Sequence, residues 1–538
     1  MAEITPQVST GQESIPFWRD GRVLGVLAQI AFLAAVIIAT GWILNNVLQN
    51  MDKLGAFRCA DGSSSFVCGF NFLRIDAQFD IGETTIISYD PSDAFSRAIL
   101  VGALNTIRVA VFGIILATIL GTLAGIARLS SNWLISNIAK WYVDLMRNTP
   151  LLLQLFFLYF GVILLLPPIR EAVQPFGLPI YMSQRGIDLP WPVFMSSARL
   201  WIGFVVLAIF LTWILWVVLG RREIQLGKST NRTGWAFLTF LLVAVVGWFV
   251  ATATSGNNQV VLAANTVSAA DLAGLESVMQ QRLGVNDLAS VSQAVSDGTL
   301  TQEAVDTAAF TVCTLRDDRS EVNLTAQLRK LNMPYSVKAF NRENLVSEAF
   351  AAGDCDLYIA NKETLAAAQT AVSGATLIPI GETPVRFSIP SLQGLNFTGG
   401  YKLTPNFAAI LVGLVLYTGA FIAEIVRAGI QSVAKGQSEA ARALGLSEGQ
   451  RLRLVVLPQA LRVIIPPLTS QYLNLVKNSS LAIAVGFPDL WTTSFITLNQ
   501  SGQSVQVFII VMASYLSFSL LISFLLNWYN QRISLVER

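Results

Sequence analysis

Eight runs of apolar residues, each about long enough to cross a bilayer, decide most of what this chain can be. A spanning helix needs ~20 apolar residues in succession, because hydrocarbon offers no partner for an unpaired backbone N–H or C=O. The sequence offers such runs at roughly 24–46, 97–127, 141–166, 197–219, 234–254, 405–430, 463–487 and 504–528. A soluble chain carries about 25% charged residues. This chain of 538 residues carries 13%, with 53% hydrophobic residues and a mean hydropathy of +0.56. The expected fold class is an all-α polytopic membrane protein with about eight transmembrane helices. The first run is too long for a cleavable signal peptide, and no small-residue cleavage site is followed by a soluble mature chain.

The absence of histidine excludes most zinc sites, a Ser-His-Asp triad and histidine proton relays, so neither a metal nor a catalytic residue is expected. Nothing in the charge pattern resembles a nucleic-acid footprint, so no nucleic-acid partner is expected. Basic residues instead mark orientation. Arg221, Arg222, Lys228 and Arg232 lie in 220–233, and Lys435, Arg442, Arg451, Arg453 and Arg462 lie in 431–462. Arg19 and Arg22 precede the first run, and Arg532 and Arg538 follow the last. With eight spans these all fall on one side, and the positive-inside bias makes that side the cytoplasm. Both termini are then cytoplasmic, and 47–96, 167–196 and 255–404 lie outside. The expected organisation is a cytoplasmic N-terminus (1–23), a first span with its outer loop (24–96), and helices two to five (97–254). An inserted outer domain (255–404) and helices six to eight with the cytoplasmic loop 431–462 (405–538) complete it.

The four cysteines agree with that topology. Cys59, Cys68, Cys313 and Cys355 all fall in segments placed outside, in the kind of compartment where disulfides persist. Four cysteines allow three pairings. The sequence-local pairs, Cys59–Cys68 and Cys313–Cys355, are favoured over the alternative of four free thiols.

The cytoplasmic loop holds "EAARALG", Glu439 to Gly445, a short polar helix with no core of its own. Ser438 suits its N-cap and Gly445 the left-handed residue that ends a helix. Ala440, Ala441 and Ala443 leave a bare surface that permits close approach by another backbone. The longer stretch "GQSEAARALGLSEGQRLRLVVLPQAL" closely resembles the EAA loop of ATP-binding-cassette importer permeases: Glu-Ala-Ala, three residues, a glycine, then about a dozen residues to Pro458. "MRNTPLLLQLFF" (146–157), "AFIAEIVRAGIQSV" (420–433) and "LVKNSSLAIAVGFPDL" (475–490) look like its polar-amino-acid branch. The resemblance covers 97–167 and 400–538, and the eight-span layout looks like broad-specificity L-amino-acid permeases of Gram-negative inner membranes.

The resemblance implies a type I ABC importer permease fold. It makes the EAA helix a coupling helix, with Glu439, Ala440, Ala441 and Gly445 seated in a groove of a separate ATP-binding subunit. It also implies a second permease subunit, a homologous different chain, and a periplasmic amino-acid-binding protein. ATP and Mg belong to the partner ATPase, and no cofactor is expected in this chain. "LGKST" at 226–230 mimics the end of a phosphate loop, but the first glycine's place is Arg222 and a membrane helix precedes it.

Polar groups inside spans are costly and usually face a bundle interior or cavity. Arg108 lies on the second run; Glu424 and Arg427, three apart, can pair near the inner end of the sixth. Asn474, Lys477, Asn478, Ser479 and Ser480 cluster on the seventh. An amino-acid zwitterion needs both a cation and acceptors. Lys477 can meet its carboxylate, and Asn474, Asn478 or Ser480 its ammonium.

In the inserted stretch acidic residues outnumber basic ones. Its 311–368 resembles one lobe of a periplasmic amino-acid-binding protein, matching Val312-Cys313 and Gly353-Asp354-Cys355-Asp356-Leu357-Tyr358; this supports the Cys313–Cys355 bridge. Where that family places Gly-Thr-Thr over the ligand carboxylate, this chain has Asp317, Asp318 and Arg319, and Asn361 stands where an Asp would hold the ammonium. Acids beside a carboxylate site repel it. The expectation is a small α/β domain, a degenerate lobe that docks the separate binding protein. An ion-coupled secondary transporter is the alternative function, but it leaves the EAA loop unexplained; a receptor reading lacks a cytoplasmic signalling domain.

Overall fold

The computed structural model describes residues 21–53, 67–226, 231–255, 259–267, 269–316, 318–360, 362–372, 374–393 and 396–533. The chain divides into two compact units, 1–158 with 409–538, and 159–408. Among the described residues seven helices are long and apolar enough to cross a membrane, or eight if one bent pair is a single span.

The first unit opens with α1 (Gly21–Lys53), whose apolar stretch Leu24–Val47 buries nothing against the rest of the chain. Next come α2 (Phe95–Ala127), α3 (Trp133–Asn148) and α4 (Leu151–Phe156). Small residues let α2 approach its neighbours closely, as membrane helices do where lipid supplies no hydrophobic drive. A Cβ at Gly121 would lie 2.6 Å from Ile422, and one at Gly125 would lie 2.6 Å from the Ala423 carbonyl oxygen. Either addition would force apart the backbones of α2 and the helix Pro405–Gln431. At the other end of α2, Phe72, Ala77, Ile81 and Phe95 bury together with Val507 and Val511 of the last helix, Ser504–Ile533.

The expected third span, 141–166, is not straight. α3 meets the helical segment Leu151–Ile163 at 109°. Pro150 has no N–H and pushes the residue before it out of helical geometry; Thr149 is accordingly extended, with φ −108° and ψ 133°. The side-chain amide of Gln154 donates to the freed carbonyls of Met146 and Thr149 at 2.8 and 3.0 Å. α3 exposes Leu134, Ile138, Trp141 and Leu145 at helical spacing and buries Ala139 and Val143. That is the pattern of a helix lying in a membrane interface.

The seventh span also departs from the expected 463–487. It runs over Gly449–Val485 as a composite: a π-helical turn at Leu452–Val456, an α-helix Leu457–Asn478, and a 3₁₀ segment Ser479–Val485. A twelve-residue helix, Leu490–Ser501, follows with Asp489 as its N-cap, too short to cross a bilayer.

The second unit holds an antiparallel pair, α5 (Ala198–Leu226) and α6 (Arg232–Thr254). Gly247 sits against Phe204, and the Trp201 indole donates to the Ala244 carbonyl at 3.1 Å. The inserted α/β segment has a five-stranded sheet in the order Tyr335–Phe340, Phe310–Leu315, Leu357–Ile359, Gln259–Ala263, Thr376–Ile380. The first three strands are parallel, and Gln259–Ala263 runs antiparallel to both neighbours. Alternating residues feed two cores: Val261, Phe310, Val312 and Leu328 on one face, Val260, Leu262, Phe350 and Tyr358 on the other. Cys313 and Cys355 form a buried disulfide with a Cα–Cα distance of 5.8 Å. For the other expected pair, Cys59 lies outside the described residues.

Candidate functional site

The polar loop forms a helix over Lys435–Ala443. Its start corrects the sequence expectation, because the N-cap position is Ala434 and Ser438 lies inside the helix. The Ser438 hydroxyl instead accepts from Arg451 Nη1 at 2.8 Å, tying the loop helix to the turn that follows it. Its end is as read. Gly445 has φ +74°, its N–H donates to the Arg442 carbonyl, and the Leu446 N–H donates to Ala441. These paired bonds satisfy the last carbonyls of the helix through a left-handed residue that only glycine adopts without strain. Ala441 is buried at 3% exposure, whereas Glu439, Ala440, Ala443 and Gly445 face outward. Leu444 is 81% exposed. Sequence reading missed it because a leucine in a helical pattern is normally assigned to the buried side; only its place just past the helix end turns it out.

The polar cluster of the seventh span lies at the junction of its α-helical and 3₁₀ segments. Asn474 and Lys477 are exposed, Asn478 and Ser480 half-buried, and Ser479 buried. With Val463, Pro467 and Ser470, the exposed residues form one stripe at helical spacing. Ser479 and Ser480 hydroxyls donate to the carbonyls of Val476 and Lys477, at 2.7 and 2.8 Å. A change of helix type inside a span often marks a hinge. A lysine and an asparagine along a membrane helix need a polar cover, so this stripe suits a translocation path.

Arg108 does not join that stripe. It is 5% exposed, and its Nη1 lies 3.0 Å from Glu83 Oε2 and from Thr85 Oγ1. Asn105, one turn earlier, donates to the Glu83 and Pro488 carbonyls. The arginine thus pins the segment before α2 to the helix, and Glu83 was the partner that sequence distance hid.

The expected pair Glu424–Arg427 forms and is larger than expected. Arg427 Nε donates to both Glu424 oxygens at 3.2 Å, Arg128 from the end of α2 also bonds Oε2, and Arg147 Nη1 is 4.0 Å away. One carboxylate therefore ties together three helices.

In the second unit, Glu382 is 1% exposed, and its carboxylate accepts from the Ser196 hydroxyl and from the Ser197 N–H and hydroxyl, all at 2.8–3.0 Å. Its backbone carbonyl accepts from Ser255 Oγ at 2.9 Å. One residue of the α/β segment thus binds the adjoining ends of α5 and α6, with its charge at the start of α5 where the helix dipole favours it. Asp318 caps the helix Arg319–Lys330 by accepting from the Ser320 N–H at 2.9 Å, so that acid has a structural task. Asp317 and Asn361 lie outside the described residues.

Comparison with known proteins places these features in a family context. A family model described as the binding-protein-dependent transport system inner membrane component matches residues 387–535. The chain is 32% identical to the general L-amino acid transport system permease protein AapQ of Rhizobium johnstonii, over 100% of this chain and 98% of that protein. It is 32% identical to the putative amino-acid ABC transporter permease protein YhdX of Escherichia coli, over 98% and 99%. It is 34% identical to the glutamate/glutamine/aspartate/asparagine transport system permease protein BztB of Rhodobacter capsulatus, over 96% of each.

Proposed function

We infer the working of this chain from one premise: it belongs to the permease subunits of ATP-binding-cassette amino-acid importers, a multi-pass inner-membrane family. Around such a subunit the family architecture sets an ATPase and a periplasmic binding protein. The chain, on our reading, moves L-amino acids from periplasm to cytoplasm by alternating access, paired with a second, homologous permease subunit. Both termini and the loop 431–462 face the cytoplasm, where the ATPase binds ATP and Mg.

The observation that carries the coupling role is the loop helix itself. It is nine residues long, anchored through Ala441 and the Arg451–Ser438 bond, and closed by Gly445. Glu439, Ala440, Ala443 and the projecting Leu444 are left for a partner groove. A short anchored helix moves as a lever, and coupling needs such a discrete element. The path runs beside the stripe of Asn474, Lys477, Asn478 and Ser480. There the lysine meets the substrate carboxylate, and side-chain oxygens and carbonyls beside the 3₁₀ turn meet its ammonium. Arg108, held by Glu83, shapes the path from behind rather than touching substrate. The α/β segment docks the binding protein.

Replacing Gly445 by valine tests the coupling. A β-branched residue resists φ > 0, so ATPase subunit binding and uptake should fall together while membrane insertion is unchanged. Full uptake and full ATPase stimulation in Gly445→Val would falsify the lever.

A further inference from the structure

The elbow between α3 and Leu151–Ile163 opens a cavity of about 400 Å³. Its walls are almost wholly apolar, chiefly Leu145, Met146, Leu153, Phe157, Leu158 and Leu416. Its rim is basic. Against Arg128, Lys140, Arg147 and Arg427, this end of α2, α3 and Pro405–Gln431 offers only Asp144 and Glu424 as counter-charges. Glu424 is already engaged by Arg128 and Arg427. Arg147 is left with that carboxylate at 4.0 Å, its guanidinium lying 5.3 Å over the Phe421 ring and its side chain 40% exposed. Beside it Gln154, 7% exposed, also lines the cavity; its amide nitrogen holds the Met146 and Thr149 carbonyls, and its Oε1 has no partner among the described residues.

We propose that this elbow binds one anionic phospholipid, with an acyl chain in the cavity and its phosphate on Arg147. The charge imbalance selects an anion, and the length of apolar wall below it selects a lipid over a free anion. A basic pocket between helices on the cytoplasmic side is where such headgroups bind, and α3 lies at that level with its apolar stripe outward. Phosphatidylglycerol, a phospholipid with a single negative charge, is the probe. The lipid then wedges the 109° bend open and sets how far α3 stands from Pro405–Gln431, the helix that runs into the coupling loop.

Native mass spectrometry of the importer complex, incubated with phosphatidylglycerol or phosphatidylcholine, reads this directly. The wild type retains the anionic lipid preferentially. Arg147→Gln lowers that retention about fivefold, the effect of one basic residue beside an anionic headgroup. Leu153→Trp, at a site 58% exposed and so tolerant of bulk, abolishes retention by filling the cavity with every arginine in place. Equal retention of both lipids overturns the proposal, as does unchanged retention in both variants. Cross-links from position 153 to the second permease subunit also overturn it, because the cavity would then be a protein interface.

Discussion

Asp188 is a carboxylate 1% exposed in the middle strand Gly186–Leu189, opposite Tyr181 on one side and Lys402 on the other. Burial pushes its carboxyl up from the ordinary aspartate range, and the Lys402 ammonium offsets this in part. A raised folded-state value means the folded state holds the proton longer than the unfolded one, so this group's contribution to stability falls as pH rises above about 4. Asp188→Asn should therefore melt higher than wild type at neutral pH, with a difference that widens from acid to neutral in detergent thermal scans. A difference that narrows would mean the carboxylate is stabilised here. In the membrane, Lys477→Met keeps length and apolar contact while removing charge. It should raise the KM for uptake of every transported amino acid with assembly intact, and unchanged kinetics would make Lys477 a structural residue. Lys477 was legible from sequence because a charge inside an apolar run stands out. The Glu83 partner of Arg108 was not, because the pair spans 25 positions and no local periodicity connects them.

Among elements, the helices were legible from apolar length, and their interruptions were not. Pro150 is visible in the sequence, yet a proline inside an apolar run kinks some helices and breaks others. The outcome here depends on Gln154 folding back to satisfy the carbonyls that the break releases. The N-cap of the loop helix was misjudged for a similar reason. Ser438 is a good cap by residue type, but Arg451, thirteen positions on, claims its hydroxyl. In the α/β segment the Cys313–Cys355 bridge closes a separation of 42 residues. Removing a cross-link of that span costs about 4 kcal/mol by the chain-entropy estimate. Cys313→Ser with Cys355→Ser should accordingly make the segment protease-sensitive in membranes at temperatures where wild type resists. Equal resistance would show that the sheet carries its own stability.

At the scale of the molecule, the inserted segment is the feature whose removal says most. Glu382 and Ser255 join it to α5 and α6, so a deletion that takes Glu382 uncaps α5 and confounds any loss of function. A linker replacing 259–380 spares both residues. That variant should assemble with the ATPase while binding-protein-dependent uptake slows several-fold, measured as initial rates. Unchanged rates would leave the segment without a docking role.

Beyond the Cys313–Cys355 pair, which followed from the resemblance to a binding-protein lobe, the sequence by itself determined the membrane class, the presence of the apolar runs, and the EAA loop with its closing glycine. Each of these rests on local chemistry: length against bilayer thickness, residue order within a turn, φ > 0 at one glycine. Tertiary structure alone decided the 109° elbow, the addition of Arg128 and Arg147 to the Glu424–Arg427 pair, and the burial of Arg108 against Glu83. Those depend on which distant residue arrives to satisfy a polar group in a medium without water, and hydrophobic periodicity carries no record of that choice.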